Sequence, residues 1–67
     1  MIEMSRFMKP LTSSLHLYTA MAERVPIVVF IGDELVGAGR IAEISEDSVK
    51  IGGERYMRGV CTFKYAS

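Results

Sequence analysis

Tyr56-Met57-Arg58-Gly59-Val60 is the stretch of this chain with the most chemistry in it. An Arg-Gly pair between two β-forming segments presents a guanidinium at a turn, where the glycine is free to take a positive φ. A guanidinium plane stacks on nucleic-acid bases and forks onto phosphate oxygens. The plainer use of the same residues is a tight turn carrying a solvent-exposed arginine, and the residues alone favour that use.

Little else in the chain could do chemistry. His16 is the only histidine and has no acid partner near it in sequence, so it reads as a solvent-facing or interface residue. Cys61, the only cysteine, alternates with Phe63 and Tyr65 and reads as a small buried hydrophobe. The acidic pairs Asp33-Glu34 and Glu46-Asp47 fall in turns, where solvated charges are ordinary. Gly32 and Gly37 have the spacing of a phosphate-binding loop, but Ala38 and Gly39 stand where Lys and Ser or Thr are required, and a strand follows. With no nucleophile–base pair, metal set or cofactor fingerprint, the expectation is a protein that is not an enzyme, with no catalytic residue, metal or cofactor.

An arginine turn needs a strand on each side, and the chain supplies strands only after Pro26. Residues 1–10 lack periodicity and end at Pro10; they read as a tail that docks through Phe7 and Met8, with residues 11–67 as the single domain. Residues 11–24 carry a helical pattern. Leu11, Leu15, Tyr18 and Ala22 share one face of a 3.6-residue period. Leu17 and Met21 form a neighbouring stripe. Thr12 and Ser13 are candidate N-caps, and Pro26 stops the helix. So broad an apolar arc must cover something, and an open end of a sheet is the expectation.

The remainder reads as β. Residues 27–31 are an unbroken β-branched and aromatic run, expected to be a buried strand. Gly32-Asp33-Glu34 is a turn. Residues 35–44 form a long strand in which Gly37 and Gly39 mark a bulge or sharp bend. After the turn at Ser45-Glu46-Asp47, residues 48–51 place Val49 and Ile51 on one face. Gly52-Gly53 is a two-residue hairpin signal, residues 54–57 return, Arg58-Gly59 breaks the chain, and residues 60–65 form the last strand. The predicted fold is mainly β: an N-terminal α-helix followed by a five-stranded, strongly bent open barrel.

At 67 residues the chain is one domain, and a domain this short is marginal alone. One cysteine permits no internal disulfide, and the lone histidine argues against a metal. Self-association is then the natural stabiliser, and an apolar content of 49% agrees. Eight basic against eight acidic residues argue against a scavenger of nucleic acid held by net charge. No apolar run reaches membrane-spanning length, and the unpaired cysteine suits a reducing compartment, so a cytoplasmic protein without membrane contact is expected.

One helix followed by five short strands resembles the Sm/Hfq family of small, SH3-like barrels. Glu23-Arg24-Val25-Pro26-Ile27 looks like the helix-to-strand junction of Hfq, and Val29-Phe30-Ile31 with Gly39-Arg40-Ile41 looks like its first two strands. Tyr56-Met57-Arg58-Gly59-Val60-Cys61-Thr62-Phe63 falls where Hfq has its Tyr-Lys-His-Ala signature, and Arg58-Gly59 itself is similar to the second Sm motif. Met57 and Arg58 stand in place of the Lys-His of Hfq. The resemblance implies a homo-oligomeric ring of about six or seven subunits that binds single-stranded RNA. Its pore-side site would use Ser45, Glu46 and Arg58, with Tyr56 and Gly59 from the same segment, and its opposite face would stack a base on Phe30. The edges of the fourth and last strands would pair head to tail between subunits. The alternative is a barrel that binds a protein partner or serves as a structural assembly subunit, without RNA.

Overall fold

The computed structural model describes residues 7–66. Residues 1–6 of the expected tail lie outside the described residues. Helix α1 spans Ser14–Glu23, and five strands follow: β1 Pro26–Ile31, β2 Glu34–Ile44, β3 Ser48–Ile51, β4 Glu54–Met57 and β5 Thr62–Tyr65. The strands form one antiparallel, open, bent sheet in the order β4-β3-β2-β1-β5. The mainly β fold with one N-terminal helix is therefore the fold the residues predict.

The helix begins later than its periodicity suggests. Ser13 is the N-cap, and its side chain accepts from the His16 N–H. The helix ends at Arg24, which adopts the left-handed conformation with φ 56° and donates its own N–H back to the Ala20 and Met21 carbonyls. Leu11 lies before the helix and is buried in the core. The inward face also differs from expectation. Leu17 and Ala20 are buried and Met21 packs against them, whereas Leu15 and Tyr18 are 73% and 50% exposed. The Leu17/Met21 stripe, not the Leu11/Leu15/Tyr18/Ala22 stripe, docks on the sheet.

The core comprises Leu11, Leu17, Ala20, Ile27, Val29, Ile41, Val49, Ile51 and Phe63. In β1 only alternate residues, Ile27 and Val29, are fully buried; Val28 and Phe30 are half-buried and Ile31 is exposed. The continuous apolar run thus behaves as an alternating strand with one partly wet face. The last strand starts at Thr62, and Val60 stays in the preceding turn, 61% exposed.

The long second strand bends where residues are inserted. Val29 pairs with Gly37 but Phe30 with Leu35, which leaves Val36 unpaired on that ladder. Ile41 pairs with Ile51 but Glu43 with Lys50, which leaves Ala42 extra on the other. Each insertion is a bulge that increases local twist. Gly37 has a packing role as well. A Cβ there would collide with the Tyr56 hydroxyl, which folds over it from β4. Gly37→Ala is expected to displace the Tyr56 ring and lower stability by about 1–2 kcal/mol in urea unfolding. Adding Tyr56→Leu should then cost less than it does alone; strictly additive losses would sink the Gly37–Tyr56 contact.

Residues 8–11, expected partly as tail, are joined to the sheet. The Met8 N–H donates to the Tyr65 carbonyl at 2.7 Å, the Tyr65 N–H to the Lys9 carbonyl at 3.0 Å, and the Leu11 N–H to the Phe63 carbonyl at 2.8 Å. Pro10 sits opposite Lys64 in an antiparallel bridge. The outer edge of β5 is therefore covered by the chain itself. Phe7, expected to dock, is 60% exposed.

Candidate functional site

Arg58 is positioned by two turns and the start of the helix. The turn between β4 and β5 closes when the Val60 and Cys61 N–H groups donate to the Met57 carbonyl, at 3.2 and 3.0 Å. The Arg58 N–H donates to the Asp47 carbonyl at 2.7 Å, which binds this turn to the one between β2 and β3. The guanidinium then reaches three acceptors: the Ser45 carbonyl at 3.0 Å, the Glu46 carbonyl at 3.5 Å and the Ser14 Oγ at 2.9 Å. Arg58 is half-buried and joins α1 to both turns. A guanidinium carries five N–H donors, so these contacts leave some unused.

Ser45 is held from within its own turn. Its N–H donates to the Ser48 carbonyl at 2.8 Å, and its Oγ accepts from the Ser48 N–H at 3.0 Å and lies 2.9 Å from the Ser48 Oγ. Ser48, buried behind it, also receives Arg55 Nη1 at 3.1 Å, while Arg55 Nη2 pairs with Glu43 at 3.3 Å. This polar knot fixes the backbone carbonyls that Arg58 uses.

Beside Arg58 opens a cleft of about 470 Å³ between residues 10–12, α1 and the start of β5. Leu11, Leu17, Cys61 and Phe63 give it an apolar floor, and Arg58 and Glu46 line it with opposite charges. It was not legible from the sequence, because its walls come from segments far apart in the chain.

Arg58, Gly59, Ser45 and Glu46 are thus brought together. Tyr56 is half-buried on β4 over Gly37 and does not line the cleft. Phe30 lies on β1, outside the cleft, with the Lys64 ammonium 5.1 Å from its ring centroid. That separation of cation and ring is a cation–π contact. Lys64 and Ser14 are the two partners that sequence reasoning missed; Lys64 faces Phe30 from the adjacent strand, two positions on from the Thr62 that pairs with Phe30 and so on the same face. His16, on the exposed first turn of the helix, accepts the Thr12 N–H through Nδ1 at 3.2 Å.

Among the described residues no helix is long and apolar enough to cross a membrane. Comparison of the chain with protein-family models, with curated proteins and with solved structures found no match.

Proposed function

We propose that this protein is a non-enzymatic binding module of the Sm-like kind, an open barrel that associates with copies of itself and takes single-stranded RNA at the Arg58 corner. One observation carries the reading: the Arg58 guanidinium donates to the backbone carbonyls of Ser45 and Glu46, so the three residues that the resemblance assigns to a single site meet at one rim. The order of one helix and five strands, with a bent second strand, supports it too. In a closed assembly the corner recurs once per subunit, so a neutral chain still concentrates guanidinium groups. Phe30 beside Lys64 offers a second contact of suitable chemistry, a ring for a base and a cation for its phosphate.

The reading is tested by fluorescence anisotropy with short U-rich and A-rich RNAs at low and moderate salt. Binding is expected to weaken as salt rises and to fall at least about tenfold in Arg58→Ala. Because Arg58 also ties down the helix, Ser14→Ala is the control: it removes that tie and keeps the guanidinium. Equal losses in both variants would make Arg58 a structural residue, and an absence of binding at low salt would remove RNA from the reading.

A second reading is favoured by the free edge of the sheet. β4 is the outermost strand at its end, and no described segment pairs along its outer side. Met57 at the end of β4 and Val60 in the turn after it are 51% and 61% exposed. Such an edge accepts an extended strand from a protein partner. In that case the protein is an interaction or structural assembly subunit without RNA.

A further inference from the structure

We propose that residues 8–11 are an intramolecular strap occupying the place on β5 that a neighbouring copy's β4 would take, so that assembly requires the strap to let go. The proposal rests on the self-association put forward above. It concerns what controls that association.

The backbone geometry of the two sheet edges carries the argument. In a strand, the N–H and C=O of one residue point to the same side, and alternate residues point to opposite sides. The Phe63 carbonyl and both groups of Tyr65 face away from β1, and all three are bonded to residues 8, 9 and 11. At the other end of the sheet, Gly52-Gly53 forms a two-residue turn with φ 59° and 85°, which makes Ile51–Glu54 the closing hydrogen-bonded pair. By alternation Val49–Tyr56 is the next such pair, and Arg55 and Met57 turn their backbone groups outward. Met57 spends its carbonyl on the adjoining turn. Arg55 and Met57 are two residues apart, as are Phe63 and Tyr65. The Arg55 N–H and carbonyl and the Met57 N–H are therefore left on the edge of β4 to meet the groups of Phe63 and Tyr65 on the edge of β5, and a second copy of this chain supplies both edges.

The strap is built to block and to release. Lys9 and Leu11 direct their bonding groups to β5, and Pro10 sits opposite Lys64 between them, so the strap covers the outer side of β5 with its own backbone. With the strap in place, that end of the sheet is closed. Among the described residues its hold consists of backbone hydrogen bonds of Met8, Lys9 and Leu11 and the buried side chain of Leu11. Met8 enters it with φ 65°, a left-handed conformation that a residue with a Cβ adopts at a cost.

A disulfide can lock the strap. Pro10 and Lys64 form a pair flanked by the two hydrogen bonds rather than making them, the closer kind of antiparallel pair, at about 4.5 Å between Cα atoms. That separation suits a disulfide. The full chain carrying Pro10→Cys, Lys64→Cys and Cys61→Ser is compared by native mass spectrometry and light scattering, oxidised and reduced, over a range of concentrations. Leu11→Ala, which loosens the strap without a cross-link, is run beside it. The oxidised form is expected to stay monomeric at concentrations at which the reduced form and Leu11→Ala assemble, with assembly midpoints shifted by at least about tenfold. If oxidised and reduced forms assemble alike, the strap does not guard the assembling edge and the inference fails while the self-association stands. If every form, including Leu11→Ala, stays monomeric at millimolar concentration, self-association itself fails and the inference goes with it.

Discussion

Urea unfolding of Ile27→Ala is expected to show a loss of about 2–5 kcal/mol relative to the parent chain. Ile27 has no exposed surface, and its strand lies between β2 and β5, pairing with Gly39 on one side and Tyr65 on the other. Removing its side chain leaves a cavity that the sheet cannot close, because the backbone around it is held on both ladders. A domain of this size has only about 3–10 kcal/mol of stability in total. The loss is therefore a large part of the total, and the variant should unfold at a markedly lower urea concentration. Ile31→Ala is the reference: Ile31 ends the same strand at 45% exposure and should lose about 0.5 kcal/mol or less. Equal losses at the two positions would contradict the burial that defines the core.

Leu17→Asp is expected to detach the helix. α1 has ten residues, too few to hold a helix in water without packing. Its attachment runs through Leu17 at 2% exposure and Ala20 at 0%, with Arg58 bonded to Ser14 at its first turn. An aspartate at position 17 would place a carboxylate in the apolar floor of the cleft, where an unpaired charge costs far more than the ~2–7 kcal/mol of an unbonded neutral polar group. The side chain leaves instead and takes the helix with it. Circular dichroism should lose its helical component, and a fluorescent apolar dye should bind the uncovered sheet. Leu15→Asp, two residues away at 73% exposure, should change neither reading. A reversed result, with Leu15 sensitive and Leu17 tolerant, would mean that the other stripe faces the sheet.

That pair of leucines also shows where the sequence stops being informative about the fold. The strands were legible because their ends carry chemistry: Pro26 stops the helix, Gly52-Gly53 demands positive φ, and Glu46-Asp47 cannot be buried. The helix's inner face was not, because the two apolar stripes are adjacent and both satisfy a helical period; docking on the sheet, a tertiary event, selects one. The pairing of residues 8–11 with β5 was not legible, since a single bridge at a proline has neither period nor turn residues. At the candidate site, the Arg58-Gly59 turn was legible from its residues, and Ser45 and Glu46 were joined to it only by the family resemblance. The Ser14 contact could not, because it spans 44 positions of chain. The cleft and the Lys64–Phe30 contact arise only when strands distant in sequence lie side by side.

The bond from the Met8 N–H to the Tyr65 carbonyl brings the two ends of the folded part within 2.7 Å of each other at those atoms. The folded chain is thus almost a loop. A short peptide link from residue 66 back to residue 7 would ask little of the native backbone and would remove freedom only from the unfolded chain. New termini could then be opened at Gly52-Gly53, an exposed turn with no side chains to lose. Such a circular permutant would keep every strand pairing while moving the chain ends to the opposite side of the sheet, next to β4.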